Sequence, residues 1–281
     1  MAIKRRLVIG ISGSTGFIGS SLVFFLEQKN KYKIVKIGRD NLNFEKDDTK
    51  FFSKFDVIVH LAGVSKGTDA DLLNNVLLTE KILKSISKIN CPYIVFASSF
   101  AVYESQKKII KTSTNIDPRN FYGWTKKWCE DLLISANKMK TCGLAILRIS
   151  NVYGNGVDSN SNSVVNSIVN MVKNKGDVLL TGDGNQMRDF LYIDDLCNAI
   201  YLVIERYAKK NKFFMENICT GSGVSLNYIA KKVFVSLKID PNIKYVGPID
   251  KSCWIGDPEF VFRKLKWKPK INIDSGIRKL I

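Results

Sequence analysis

The chain has no C-x-x-C pair: its cysteines stand apart at 91, 129, 142, 197, 219 and 253. That spacing disfavours zinc and thioredoxin-type chemistry and fits reduced, buried thiols in a cytoplasmic protein. No other cluster of metal ligands is visible, and no metal is expected. Histidine occurs once, as His60 within the apolar run 56–63, where a packed core imidazole is expected. No stretch approaches the roughly 20 apolar residues of a membrane span. The apolar run after Lys4-Arg5-Arg6 stops at Ser12 and Gly13, too soon for a secretory signal. Repeats and low-complexity tails are absent. Acidic residues are scarce, 26 against 43 basic ones, for a net charge of +17. Such a surplus raises nucleic acid or an anionic membrane as partners. The lysines are dispersed, however, and no aromatic-interleaved RNA motif is present. A solvated basic surface that attracts small anions is the simpler reading.

What the chain does have is the alternation of an α/β protein. At 281 residues and 45% apolar content it can bury a large core in one or two lobes. Residues 1–150 alternate short apolar strands with helical patterns, which predicts βαβ units and a parallel sheet. Strands are expected at 7–11, 33–37 and 56–63, and helices at 69–89 and 124–138. Asn, Ser and Gly crowd 154–163, a loop signal. Asp194-Asp195 open a helix at 196–207. The expected organisation is a Rossmann-type doubly wound domain, 1–155 plus about 190–215, and a smaller C-terminal lobe, about 156–189 plus 216–281.

Three strand ends carry nucleotide-binding features. The first runs into Gly13-Ser14-Thr15-Gly16-Phe17-Ile18-Gly19 and then a helical pattern. Glycines there permit positive φ and close backbone approach, and the helix start offers N–H groups to a pyrophosphate. The second ends at Gly38-Arg39-Asp40. An arginine at that point suits the 2′-phosphate of NADP, so NADP(H) is favoured, while Asp40 keeps NAD(H) open. The third ends at Leu61-Ala62-Gly63, small enough to let a cofactor pass close to the backbone.

The most informative residues are Ser99, Tyr122 and Lys126. A tyrosine four positions before a lysine shares a helix face with it. An ammonium beside a phenol favours phenolate, and such a phenol exchanges a proton with an alcohol or ketone. A serine hydroxyl alongside holds the reacting oxygen.

In these residues the chain resembles the extended short-chain dehydrogenase/reductase family, in particular its nucleotide-sugar epimerases, dehydratases and ketoreductases. The resemblance rests on Gly13, Gly16 and Gly19, the His-Leu-Ala-Gly strand end, Ser98-Ser99, Tyr122 and Lys126, the stretches 147–154, 182–190 and 217–223, and the closing Leu265-Lys266-Trp267-Lys268-Pro269. It implies that Ser99 bonds the substrate oxygen, that Tyr122 is the acid/base, and that Lys126 grips the nicotinamide ribose. It implies further that the 13–19 loop, residues 61–63 and Ile149 line the cofactor. Ser98, Asn151 and Arg188 then belong to the substrate site, Asn151 and Arg188 near a diphosphate. The phosphate-contacting arginine common in the C-terminal lobe has no counterpart between Val246 and Asp257; Lys251 is the nearest cation. Asp47 and Asp48 stand about where an adenine-contacting acid is expected.

Residues after Ser99 narrow the reaction. The family's 4,6-dehydratases carry an Asp-Glu pair there, and its 3,5-epimerising reductases a cysteine; this chain has Phe100 and Ala101. Simple redox at one carbon remains. The expectation is NADPH-dependent reduction of a 4-keto group on a nucleotide-linked deoxyhexose, as in abequose- and paratose-forming enzymes of surface-polysaccharide synthesis. The alternatives are an NAD-dependent 4-epimerase and a non-catalytic NADP-sensing or RNA-binding member of the fold. The resemblance also implies a homodimer paired through the helices at 69–89 and 124–138.

Overall fold

The computed structural model describes residues 5–38, 48–87, 89, 92–103, 109–157 and 163–281. The chain divides into two compact units: 1–104, 115–148 and 197–216 in the first, 105–114, 149–196 and 217–281 in the second. The second unit thus takes in 105–114 and 149–155, which the sequence pattern leaves with the first. Ile110 explains one of these segments: it bridges Gly256 and its carbonyl accepts Asn217 Nδ2 at 3.0 Å.

The first unit is built on β1 (Leu7–Ser12), α1 (Phe17–Gln28), β2 (Tyr32–Ile37), α2 (Thr49–Phe52), β3 (Val57–His60), α3 (Asp69–Ile86), β4 (Tyr93–Ser99), α4 (Phe121–Lys138) and β5 (Gly143–Ile149). Among the described residues these strands and β9 (Phe214–Ile218) form a six-stranded sheet in the order β2-β1-β3-β4-β5-β9. β2, β1, β3 and β4 pair in parallel, with Ile9 opposite Ile34 and Val57, and Val59 opposite Val95. β3 and β5 are buried along their whole length, as strands covered on both faces must be, and their runs of Val, Ile and Leu reflect it. α3 and α4 pack together over a core that includes Phe52, Ile82, Phe96, Cys129 and Leu133. Each begins at a side-chain cap. Thr68 and Asp71 form a reciprocal capping box on α3, and Asn120 Oδ1 accepts the Gly123 amide on α4 at 2.8 Å. The Asn120 cap starts α4 three residues before the predicted boundary, so Tyr122 lies inside the helix.

The second unit contains β6 (Asn151–Tyr153), α5 (Val164–Lys175), β7 (Val178–Thr181), β8 (Met187–Tyr192), β10 (Gly223–Ser225), α7 (Leu226–Leu237), β11 (Ile243–Val246), β12 (Cys253–Trp254), α8 (Glu259–Leu265) and α9 (Ile273–Leu280); α6 (Ile193–Arg206) runs from it into the first. β8 is its central strand. β10 lies antiparallel to it with Val224 opposite Arg188, and β12 and β6 lie parallel to it. Among the described residues no helix is long and apolar enough to cross a membrane.

Candidate active site

The turn after β1 is shaped by what a side chain would strike. Gly13 has φ +69°, and a Cβ there would stand 2.7 Å from the Ala62 nitrogen. A Cβ on Gly19 would run into the Gly13 carbonyl oxygen, so the loop and the first turn of α1 are in backbone contact. Gly16 caps α1 without a side chain, and no acidic residue stands in the helix's first turn. The helix start therefore presents amides and the positive end of its dipole. Thr15 and Gly16 are exposed, and Phe17 and Ile18 are half-buried. This cradle fits the pyrophosphate of a dinucleotide.

Leu61, Ala62 and Gly63 follow β3 directly. Gly63 has φ +153°, and a Cβ on it would press on Asn75 Oδ1 at 2.8 Å. Asn75, 2% exposed, holds this segment with both arms of its amide: Val64 N donates to Oδ1 at 2.8 Å and Nδ2 donates to Val64 O at 2.9 Å. Nδ2 also reaches Thr125 Oγ1 at 3.3 Å. Sequence reasoning missed Asn75; its signal was a polar residue between Leu72 and Ile82 on the buried stripe of α3. Arg39, Asp40 and Asp47 lie outside the described residues. Asp48 pairs with Lys81 at 3.5 Å. Ile149 is buried at the end of β5.

Ser99 ends β4 and caps a short 3₁₀ turn, Phe100–Val102, its Oγ accepting the Ala101 amide at 3.2 Å. α4 packs on that turn through Gly123, where a side chain would strike the Ala101 carbonyl. Tyr122, half-buried, is next to this contact. Lys126 is buried and donates to the Ala97 carbonyl at 2.9 Å, with its ammonium 5.9 Å from the Tyr122 ring centroid and 4.9 Å from that of Phe96. Ser99, Tyr122 and Lys126 thus share one corner of the first unit, where β4 ends under the start of α4. Ser98 does not join them. It is 4% exposed and donates to Glu130 at 2.5 Å, because neighbouring strand residues face opposite ways.

His60 sits in the core as the sequence suggests, 1% exposed. Nδ1 meets Ser12 Oγ at 2.7 Å and Nε2 meets Thr79 Oγ1 at 3.0 Å. Burial, then the nearby Lys126 charge, pushes its pKa down to about 3, so the ring is neutral.

The other expected substrate residues are in the second unit. Arg188 is engaged within its own unit: Nη1 donates to the Met187 and Ser252 carbonyls at 2.9 and 3.1 Å, and Nη2 to Asp250 Oδ2 at 2.7 Å. Asp189 is fully buried and accepts from Thr220 N and Oγ1, both at 2.9 Å, and from Gly221 N at 2.8 Å. Burial raises its carboxyl's pKa, against the opposing pull of those donors. Asn151 is exposed on β6, its Nδ2 3.4 Å from the Asp189 carbonyl. Lys251 is exposed, and its charge acts on Asp183.

A parallel sheet, a glycine turn after its first strand and a Tyr-Lys pair on the helix above β4 define a dinucleotide-binding fold of the Rossmann class. Residues 9–219 match the model of the NAD dependent epimerase/dehydratase family, and the chain belongs to that family. It is 29% identical to a putative UDP-glucose 4-epimerase of Methanocaldococcus jannaschii, over 98% of this chain and 97% of that protein. It is 26% identical to the dTDP-4-dehydro-6-deoxyglucose reductase of Escherichia coli, over 99% and 97%. The structure of MoeE5 in complex with UDP-glucose and NAD shares the fold, with a TM-score of 0.87, 22% identity, and coverage of 97% of this chain and 96% of that one.

Proposed function

We propose that this protein reduces the 4-keto group of a nucleotide-linked deoxyhexose, with NADPH as the favoured reductant. The observation that carries the reading is the composition of the Ser99 corner. Ser99 caps the turn on which the start of α4, bearing Tyr122 and Lys126, packs, while Phe100 and Ala101 after the serine move no protons. Phe100 is 4% exposed and packs edge-on against Tyr103 at 5.8 Å, and Ala101 contributes only its backbone. That set supports proton exchange at one oxygen and no elimination of water. When bound, the nicotinamide supplies the hydride. Tyr122 gives its proton to the alkoxide oxygen, and Ser99 donates a hydrogen bond to the same oxygen. The Lys126 ammonium offsets the charge left on Tyr122. Arg188 and Asn151 serve the substrate's diphosphate, with Lys251 as the nearest further cation. Because the Arg188 fork already holds Asp250, a diphosphate engages it by replacing that carboxylate. The preference for NADPH rests on the chemistry of Arg39 alone.

The test is a panel of nucleotide 4-ketosugars with NADPH or NADH, read by loss of near-ultraviolet absorbance of the reduced nicotinamide. Tyr122→Phe should slow turnover by about 10²–10⁴-fold; unchanged turnover refutes the assignment. A second reading, an NAD-retaining 4-epimerase, is favoured by the relative from M. jannaschii. Denatured protein that releases NAD, with no net reduction of any ketosugar, would establish it. A homodimer is also proposed. Trp124 and Trp128 on α4 and Leu73 and Leu77 on α3 are 41%, 38%, 40% and 38% exposed, on two helices that pack side by side.

A further inference from the structure

A buried ion pair lies behind the Ser99 corner and takes no part in the chemistry proposed above. Glu130 and Arg148 are 1% and 4% exposed. Arg148 Nε donates to Glu130 Oε1 at 3.0 Å and Nη2 to Oε2 at 2.7 Å, a two-pronged grip. Two more side chains join it among the described residues. Ser98 Oγ donates to the same Oε1 at 2.5 Å, and Arg148 Nη1 donates to the Tyr103 hydroxyl at 3.0 Å. Burial works against the Arg148 charge, but the bonds and charge of Glu130, with a smaller share from Tyr103, more than offset it, and the guanidinium stays charged.

Stability alone does not account for this cluster. Buried ion pairs are commonly replaced by apolar residues of similar volume at little loss. Its connections are more telling. Ser98 precedes Ser99, and Tyr103 follows the 3₁₀ turn that Ser99 caps, so both flanks of the Ser99 segment hang on one ion pair. Glu130 stands one helical turn beyond Lys126 on α4, so the pair is rooted in the helix that bears Tyr122 and Lys126. Three consecutive residues of β4 divide the work. The Ala97 carbonyl accepts from Lys126, the Ser98 hydroxyl donates to Glu130, and the Ser99 hydroxyl caps the 3₁₀ turn.

We infer that Glu130 and Arg148 are positioning residues, which fix the Ser99 hydroxyl relative to Tyr122 and Lys126. The inference rests on the catalytic reading of that trio. Its test is the double variant Glu130→Leu/Arg148→Met, which removes both charges together and leaves neither buried alone. With a nucleotide 4-ketosugar, kcat should fall about 10- to 100-fold, as a displaced reacting group does, while the dinucleotide dissociation constant stays unchanged. In a Ser99→Ala background the same two changes should have little further effect, because they act through Ser99. An unchanged kcat, or a loss that multiplies in full with Ser99→Ala, overturns the inference.

Amide hydrogen exchange gives a readout independent of turnover. Exchange over 99–103 should rise in the double variant while the β1–α1 loop keeps wild-type rates; equal protection over 99–103 refutes the inference even if no ketosugar is reduced. If Tyr122→Phe turns over at the wild-type rate, the functional reading falls and the exchange result still judges the ion pair. Should the double variant fail to fold, Tyr103→Phe keeps the ion pair and releases only the far flank of the turn. It should raise exchange over 99–103 and lower kcat by a smaller factor, and the absence of both effects is equally fatal.

Discussion

Because His60 is the chain's only histidine, its contribution to stability can be isolated by pH. Its hydrogen bonds assign the tautomer. The Thr79 hydroxyl has one proton, which goes to the Asn75 carbonyl at 2.9 Å or to Cys129 Sγ at 3.2 Å. Its oxygen therefore accepts from Nε2–H, leaving Nδ1 to accept from Ser12 Oγ–H. Ser12 Oγ in turn accepts the Ala62 amide at 3.2 Å, which ties the end of β1 to the end of β3. The folded state holds this ring neutral down to about pH 3, against an ordinary value of 6.5. The unfolded chain thus binds the proton first. The stabilisation is present above about pH 6.5 and is lost as the pH falls from there toward the folded value, at about 1.4 kcal/mol per unit. Between pH 7 and pH 5 that amounts to about 2 kcal/mol. The measurement is urea unfolding of the wild type and His60→Gln at both pH values. Asp189 and Asp195, both buried, and the exposed Asp194 have raised pKa values and act with the opposite sign, but they are common to both proteins and cancel in the difference. The wild type should lose about 2 kcal/mol more than the variant. An equal gap between the two proteins at pH 7 and pH 5 would refute the argument.

Gly19→Ala should weaken NADPH binding about 5- to 100-fold in a fluorescence titration, since the new methyl displaces the Gly13 carbonyl and overpacking of this kind costs about 1–3 kcal/mol. Asp189→Ala should lower unfolding stability by about 3 kcal/mol or more, because the Thr220 and Gly221 amides lose their buried acceptor; urea denaturation reads it. Trp124→Asp/Trp128→Asp should shift the protein in sedimentation velocity from a dimer to the 31.7 kDa monomer, and a wild type already at monomer mass removes the proposed pairing.

The groups expected to meet ligand were legible in the sequence because their signals are local. The glycine turn is one short segment, and Tyr122 and Lys126 lie one helical turn apart. The residues that hold these groups in place were not legible, because each acts across the chain: Asn75 on Val64 and Thr125, Glu130 on Ser98 and Arg148. Ser98 was expected at the substrate and is instead bonded to Glu130 and 4% exposed, as adjacent residues of a strand face opposite ways.

These long-range bonds also explain why α4 sits where it does. Cys129, Leu133 and Ala136 press the helix onto the core, but apolar attraction is non-directional and tolerates a slide along the helix axis. The polar contacts do not, because a hydrogen bond weakens steeply once its angle is lost. Thr125 meets Asn75, Lys126 meets the Ala97 carbonyl, and Glu130 meets Ser98 and Arg148. A slide of one residue, about 1.5 Å, would break all three and separate the buried charges of Glu130 and Arg148, a penalty of about 3–5 kcal/mol for such a pair. The register of α4 against the Ser99 turn is therefore set by polar groups beneath it, the Asn75 amide, the Ala97 carbonyl and the Ser98 hydroxyl.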